Sequence, residues 1–149
     1  VKTISLSNSK SVAIVSDSDF RKLSKLPWSL HKSGCVVTRK WKKMHHLVKR
    51  PRRGMEIDHR NTNQLDNRRR NLRHSTRLQN SRNTNKRCGS TSQFKGVWWD
   101  KKKGKWASGI CVNKKRVHLG RFENESDAAR AYNVAALKHF GKFARINIL

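Results

Sequence analysis

Acid is scarce in this chain: nine Asp and Glu stand against 36 Lys and Arg in 149 residues, a formal net charge of +27. Basic residues run from Lys2 to Arg145 rather than gathering in one tail. Any fold they adopt is therefore driven onto a polyanion by release of condensed counterions, and nucleic acid is the default partner. A basic structural protein of the ribosomal or chromatin kind is the plain alternative. Long apolar runs are missing too. The longest early one, Val12 to Val15, is too short for a signal segment or a membrane span, and no long basic helix with an apolar face offers itself to a membrane surface. Cysteines are few and scattered: Cys35, Cys88 and Cys111 include no Cys-x-x-Cys pair, which argues against a structural zinc or a dithiol redox centre and for reduced thiols. The expectation is a cytoplasmic protein, not secreted. With 34% hydrophobic residues and a mean hydropathy of -0.91, one average domain or two small ones with modest cores can form.

Residues 1 to about 43 alternate short apolar runs with turn residues, predicting small strands and hairpins, with a helical turn over Phe20 to Leu26. The stretch "NSRNTNKRCGSTS" from Asn80 to Ser92 has no apolar residue besides Cys88 and reads as a solvated linker. The division is thus 1–83, a polar linker 84–92, and 93–149. Beyond the linker, Val97 and Trp99, then Trp106, Ser108, Ile110 and Val112, then Val117 and Leu119 fall on alternate positions of three segments. That is the period of a three-stranded antiparallel meander with one buried face. Asp127 to Phe140 supplies the covering helix, with Asn124 as N-cap and Gly141 as its stop, while Trp99 and Trp106 fill the space between helix and sheet. The fold class is α+β.

The other face of that sheet carries Lys95, Trp98, Lys105, Arg116 and His118, with small Ala107, Gly109 and Cys111 between them. A flat basic and aromatic surface of this kind can lie in a DNA groove. Phe94 to Asn147, with its Gly-Val, Trp-Ala, Leu-Gly-x-Phe and Ala-Ala-x-Ala-Tyr-Asn elements and terminal Asn, resembles the APETALA, or ethylene-response-factor, DNA-binding domain. The resemblance implies that the outward sheet face enters the major groove through Lys95, Trp98, Lys103, Arg116 and His118. Trp98, Asp100 and Cys111 depart from positions usually held by Arg, so the target preference of the plant factors is not implied.

Three of the rare acids, Glu56, Asp58 and Asp66, lie within "MEIDHRNTNQLDNRRRNLRHSTRLQN" from Met55 to Asn80. Met55-Glu56-Ile57 is a strand candidate, Arg60 to Arg73 a polar loop, and Thr76 to Gln79 a capping box that opens a helix carrying Asn80 and Asn83. Asp58 and Asn80 can then converge on one divalent cation while His59, on the opposite strand face, points at a water. Phosphodiester hydrolysis needs such oxygen ligands and such a base, with Arg and Lys of the loop, Arg68, Arg69 and Arg73 among them, holding the phosphate. Many surrounding cations are expected to keep His59 neutral.

"MHHLV" at 44–48 followed by "IDHRNTNQLDNRRRNLR" and "TRLQNSRN" resembles the HNH nuclease motif of phage homing endonucleases, which spans a core of 44–83 and implies a ββα-metal fold. By that resemblance the catalytic set is His59 as general base, Asn71 as the brace of the loop and His45 in support, with Asp58 and Asn80 as ligands of one Mg²⁺ or Mn²⁺. His46 stands where the family has Arg, and Arg70 where it often has Glu. The functional expectation is a site-specific DNA endonuclease acting on duplex DNA, as a monomer, without a small-molecule cofactor and without a membrane partner. The competing readings are a catalytically inactive DNA-binding protein or transcriptional regulator, and a sequence-tolerant nuclease.

Overall fold

Alternating apolar residues build the first hairpin: β1 (Lys2–Leu6) and β2 (Ser9–Val15) pair antiparallel with Ile4 opposite Ala13, so both point to one side. They meet α1 (Asp17–Leu23), the hairpin of β3 (Trp28–Leu30) with β4 (Val36–Thr38), and α2 (Met44–Val48). Ile4, Leu6, Ala13, Val15, Leu23, Trp28, Val36, Met44 and Val48 form one core, closed by Ile57 and Leu72. Trp28, the largest fully buried side chain, satisfies its indole N–H on the Leu23 carbonyl at 2.8 Å, which removes the penalty of burying that donor. β5 (Glu56–His59) and β6 (Leu72–Ser75) make the next hairpin, followed by α3 (Arg77–Arg82). The residue pattern alone reads β6 as the end of a polar loop, since only Leu72 of its four residues is apolar, and it is the implied ββα-metal fold that calls for a second strand.

This computed structural model describes residues 1–84 and 89–149, in two compact units, Val1–Asn80 and Ser81–Leu149. The expected linker falls partly at 85–88, outside the described residues, as does Cys88. Its later part stays exposed over 89–91 yet is tied into the second unit: buried Ser92 donates through Oγ to Glu125 Oε1 at 2.6 Å, Ser90 Oγ donates to the Val97 carbonyl, and Thr91 Oγ1 accepts from the Trp99 N–H. Hydroxyls spaced along a polar stretch can close backbone groups as well as face water, and the sequence alone does not distinguish the two.

In the second unit β7 (Val97–Asp100), β8 (Lys105–Val112) and β9 (Lys115–Phe122) form an antiparallel sheet in the order β7-β8-β9, and α4 (Glu125–Phe140) packs on it. The helix begins at Glu125, with Asn124 as its N-cap, and ends at Gly141, whose φ of 50° is the left-handed stop. Alanines 128, 129, 135 and 136 let it lie close to Val97 and Ile110, with Tyr132 and Phe140 between. Trp99 is not a core residue as expected: it stays 37% exposed, its ring edge-on to Trp106 at 5.1 Å. The short helix residues leave no gap there for a second indole to fill. Asn147 locks the tail, accepting the Lys95 N–H at 2.8 Å and donating to the Lys95 carbonyl, while Asn133 pairs with its backbone. No helix among the described residues is long and apolar enough to cross a membrane.

Candidate active site and nucleic-acid interface

Pairing of β5 with β6 sets Asp58 opposite Arg73 and His59 opposite Leu72. Asp58 is buried, and Arg73 Nε and Nη2 both donate to its Oδ2, at 2.7 and 2.6 Å. A guanidinium fork beside the carboxylate offsets the large cost of burying its charge. Arg73 is itself buried, so its expected role as a phosphate contact is corrected: it is the internal partner of Asp58. His59, on the alternate face of the strand, is buried with Nε2 3.4 Å from Asn67 Oδ1 and its ring 5.0 Å from that of His45. Burial lowers its pKa below the usual 6.5, against the opposing pull of the Asn67 hydrogen bond and of Asp58 and Asp66. The imidazole is therefore neutral at pH 7, as a general base must be. The reason differs from the expected one, because desolvation, not surrounding cations, holds off the proton, and the nearest charges are acids.

The loop between the strands is organised by its own polar side chains. Asn71 Oδ1 accepts the Asn61 N–H at 3.1 Å, while its amide donates to Asn61 Oδ1 at 2.9 Å and to the Asp66 carbonyl at 2.7 Å. Asp66, 1% exposed, takes Arg68 through Nε and Nη2 and also the Asn61 amide. β2 anchors the loop from outside: the Ile14 N–H donates to the Leu65 carbonyl, and the Asn67 N–H to that of Ile14, each at 2.8 Å. Arg69 is bound through both nitrogens by buried Asp19 of α1. All three loop arginines assigned to phosphate, Arg68, Arg69 and Arg73, thus have carboxylate partners inside the unit, and of the three Arg69 keeps the most open outer edge.

α3 starts with the expected capping box: the Gln79 N–H donates to Thr76 Oγ1 at 3.2 Å, and Gln79 Oε1 accepts the Thr76 N–H at 2.9 Å. One residue on, the Asn80 amide donates to Glu56 Oε2 at 2.6 Å. Because side chains alternate along a strand, Glu56 and Asp58 share one face of β5, and Asn80 reaches that face. Sequence reasoning missed Glu56 and Asn67, although strand alternation from Asp58 points to the first. Among the described residues no group of three or more His, Cys, Asp or Glu is arranged to hold a metal. The donors at hand are instead hard oxygens, a carboxylate or two and an amide. Such a set fits Mg²⁺, which takes one or two protein carboxylates and completes its shell with water and phosphate.

His45, on α2, is buried, and its Nδ1 has no hydrogen-bond partner among the described residues. Burial, then the neighbouring His59, His46 and Lys43, lower its pKa to about 3. Folding thus requires the neutral ring, whereas the unfolded chain binds a proton below pH 6.5, so stability present above that pH is lost as pH falls toward 3. At pH 5 the loss from this residue is about 2 kcal/mol. Denaturant melts at pH 7 and pH 5 should show it, and His45→Gln should flatten the difference.

On the outer face of the second unit, the Trp98 indole lies over Gly109, where an added Cβ would come within 3.1 Å of the ring. The Arg116 guanidinium stacks on the same indole at 4.2 Å, with the His118 ring 6.2 Å away. Lys103 is exposed in the β7–β8 turn. Lys105 pairs with Glu123 at 2.7 Å, both well exposed; such a pair is worth little and exchanges readily for a phosphate. Lys95 is corrected: its ammonium donates to the carbonyls of Arg82 and Thr84 at 2.8 and 2.7 Å, and burial lowers its pKa to about 8. It closes backbone groups instead of facing DNA. Asp100, the acid in a position usually basic, binds Arg121 at 2.8 Å.

The basic chain thus has a buried Asp-His pair in one unit and an aromatic, basic sheet face in the other. Comparison with known families agrees part by part: residues 49–82 match the HNH endonuclease family and residues 92–141 the AP2 domain. The chain carries an HNH endonuclease domain and an AP2 domain. Among curated proteins it is 44% identical over 57 residues to APETALA2-like protein 2 of Oryza sativa subsp. indica, covering 38% of this chain and 13% of that protein. It is 42% identical over 59 residues to the AP2-like ethylene-responsive transcription factor TOE2 of Arabidopsis thaliana, covering 40% and 12%. The chain therefore spans about an eighth of the length of the relatives it matches. No solved structure matches.

Proposed function

We propose that the protein is a metal-dependent, site-specific endonuclease of the HNH homing type found in phages, hydrolysing phosphodiester bonds of duplex DNA that its AP2 unit grips. In this reading β5, β6 and α3 are the ββα-metal unit. Asp58 and Asn80 hold one Mg²⁺ or Mn²⁺, with Glu56 beside Asn80. A hard divalent ion supplies polarisation of the phosphoryl group and stabilisation of the leaving oxygen. His59 takes the proton of the attacking water, Asn71 keeps the loop in shape, and His45 supports the His59 ring. Trp98, Lys103, Lys105, Arg116 and His118 face the duplex. The protein acts as a monomer with one site and nicks one strand.

The observation that carries this reading is the neutral, buried His59 adjacent to the buried Asp58, on a strand whose Glu56 and Asp58 face is reached by Asn80. A DNA-binding protein without catalysis is the competing reading, favoured by the transcription factors among the relatives. Supercoiled plasmid carrying a candidate insertion site, incubated with the protein and Mg²⁺, is expected to turn open-circular, and EDTA is expected to prevent it. Plasmid that stays supercoiled but shifts in a gel would leave only the binding function.

A further inference from the structure

Trp41 is 69% exposed and has a φ of 59°, a left-handed backbone that a bulky L-residue adopts only at a cost. A turn built around Thr38 holds it there: the Trp41 N–H donates to the Thr38 carbonyl at 2.9 Å, the Thr38 N–H to the Lys42 carbonyl at 3.0 Å, and the Lys42 N–H to Thr38 Oγ1 at 3.2 Å. Its only ring neighbour among the described residues is His31, edge-on at 5.1 Å. The residues around it, Arg39, Lys40, Lys42 and Lys43, are all exposed, and none has an ion pair among the described residues. α2 begins at the next residue, Met44, and carries His45, whose ring lies against His59.

A strained turn that lifts an indole out of the protein amid four unpaired cations does nothing for the core. It has the makeup of a duplex contact, in which cations bind phosphates and an aromatic face packs on a sugar or wedges at a base step. We infer that the Thr38–Lys43 loop is a second DNA contact of the nuclease unit, with Trp41 as the stacking residue that fixes the duplex beside His59. The inference rests on DNA as the substrate, and it names a positioning residue in the unit that cuts.

Binding of the full chain to a 40-base-pair mixed-sequence duplex, titrated in EDTA at several salt concentrations, tests it without any need for cleavage. Trp41→Gly accepts the left-handed backbone, so its melting temperature should equal or exceed that of the wild type, while affinity falls about tenfold. Its salt dependence should not change, because an indole releases no counterion; Lys40→Ala should instead reduce the slope by about 0.9. Trp41→Phe, which keeps an aromatic face, should stay within about threefold of the wild type. The inference is overturned by a Trp41→Gly affinity within twofold of the wild type, or by a Trp41→Phe loss as large as that of Trp41→Gly. Because no cleavage is read, failure of the nuclease reading would show separately, in the plasmid assay.

Discussion

His59→Ala is expected to lower the rate of plasmid nicking by about 10² to 10⁴-fold, the usual contribution of a positioned general base, while the dissociation constant for duplex DNA stays within twofold. The two readouts separate under the proposed mechanism, which assigns binding to the outer sheet face and the basic surface and proton transfer to the imidazole at residue 59. The lowered pKa of His59 adds a pH signature. The wild-type rate should be level from pH 8 down past 6.5 and fall only below it, since the folded ring takes up its proton later than a free histidine would. Nicking by the purified variant at the wild-type rate would remove His59 from the mechanism.

Gly96→Ala is expected to unfold the second unit's core and with it most DNA binding. Gly96 has a φ of 77°, and a Cβ there would lie 2.1 Å from the Tyr132 ring and 2.9 Å from the Gly109 carbonyl. The left-handed backbone costs an alanine about 1 kcal/mol, and the overlap forces Tyr132, 3% exposed between sheet and helix, to move at about 1–3 kcal/mol more. A loss of about 3 kcal/mol is a large share of what a unit this small can hold. Denaturant titration followed by tryptophan fluorescence should show an early transition for the second unit. A midpoint matching the wild type would mean that Tyr132 has room the packing does not show.

Much of the architecture could be read from local pattern. Alternation over Val97 to Leu119 marked the meander, Thr76 and Gln79 marked the start of α3, and Gly141 marked the end of α4, because each of these depends on residues a few positions apart. Trp99 misled for the opposite reason. Its apolar character and its parity both fit the core, and only the close approach of an alanine-rich helix leaves it outside.

The site shows the same division. The sequence by itself determined the chemistry available: a chain almost without acid that keeps Asp58 beside His59, a loop of Asn and Asp side chains, a capped helix bearing Asn80, and a sheet face of Trp, Arg and His. Only tertiary structure decided which charges are engaged inside the protein. Arg73 and Lys95 look, in the sequence, like any other cation destined for phosphate, yet cross-strand register gives one to Asp58 and burial gives the other to two carbonyls. The neutrality of His59 likewise follows from desolvation by residues far apart in the chain. Charge and hydrogen-bonding capacity belong to a residue wherever it sits; partner and dielectric are set by what folding brings next to it.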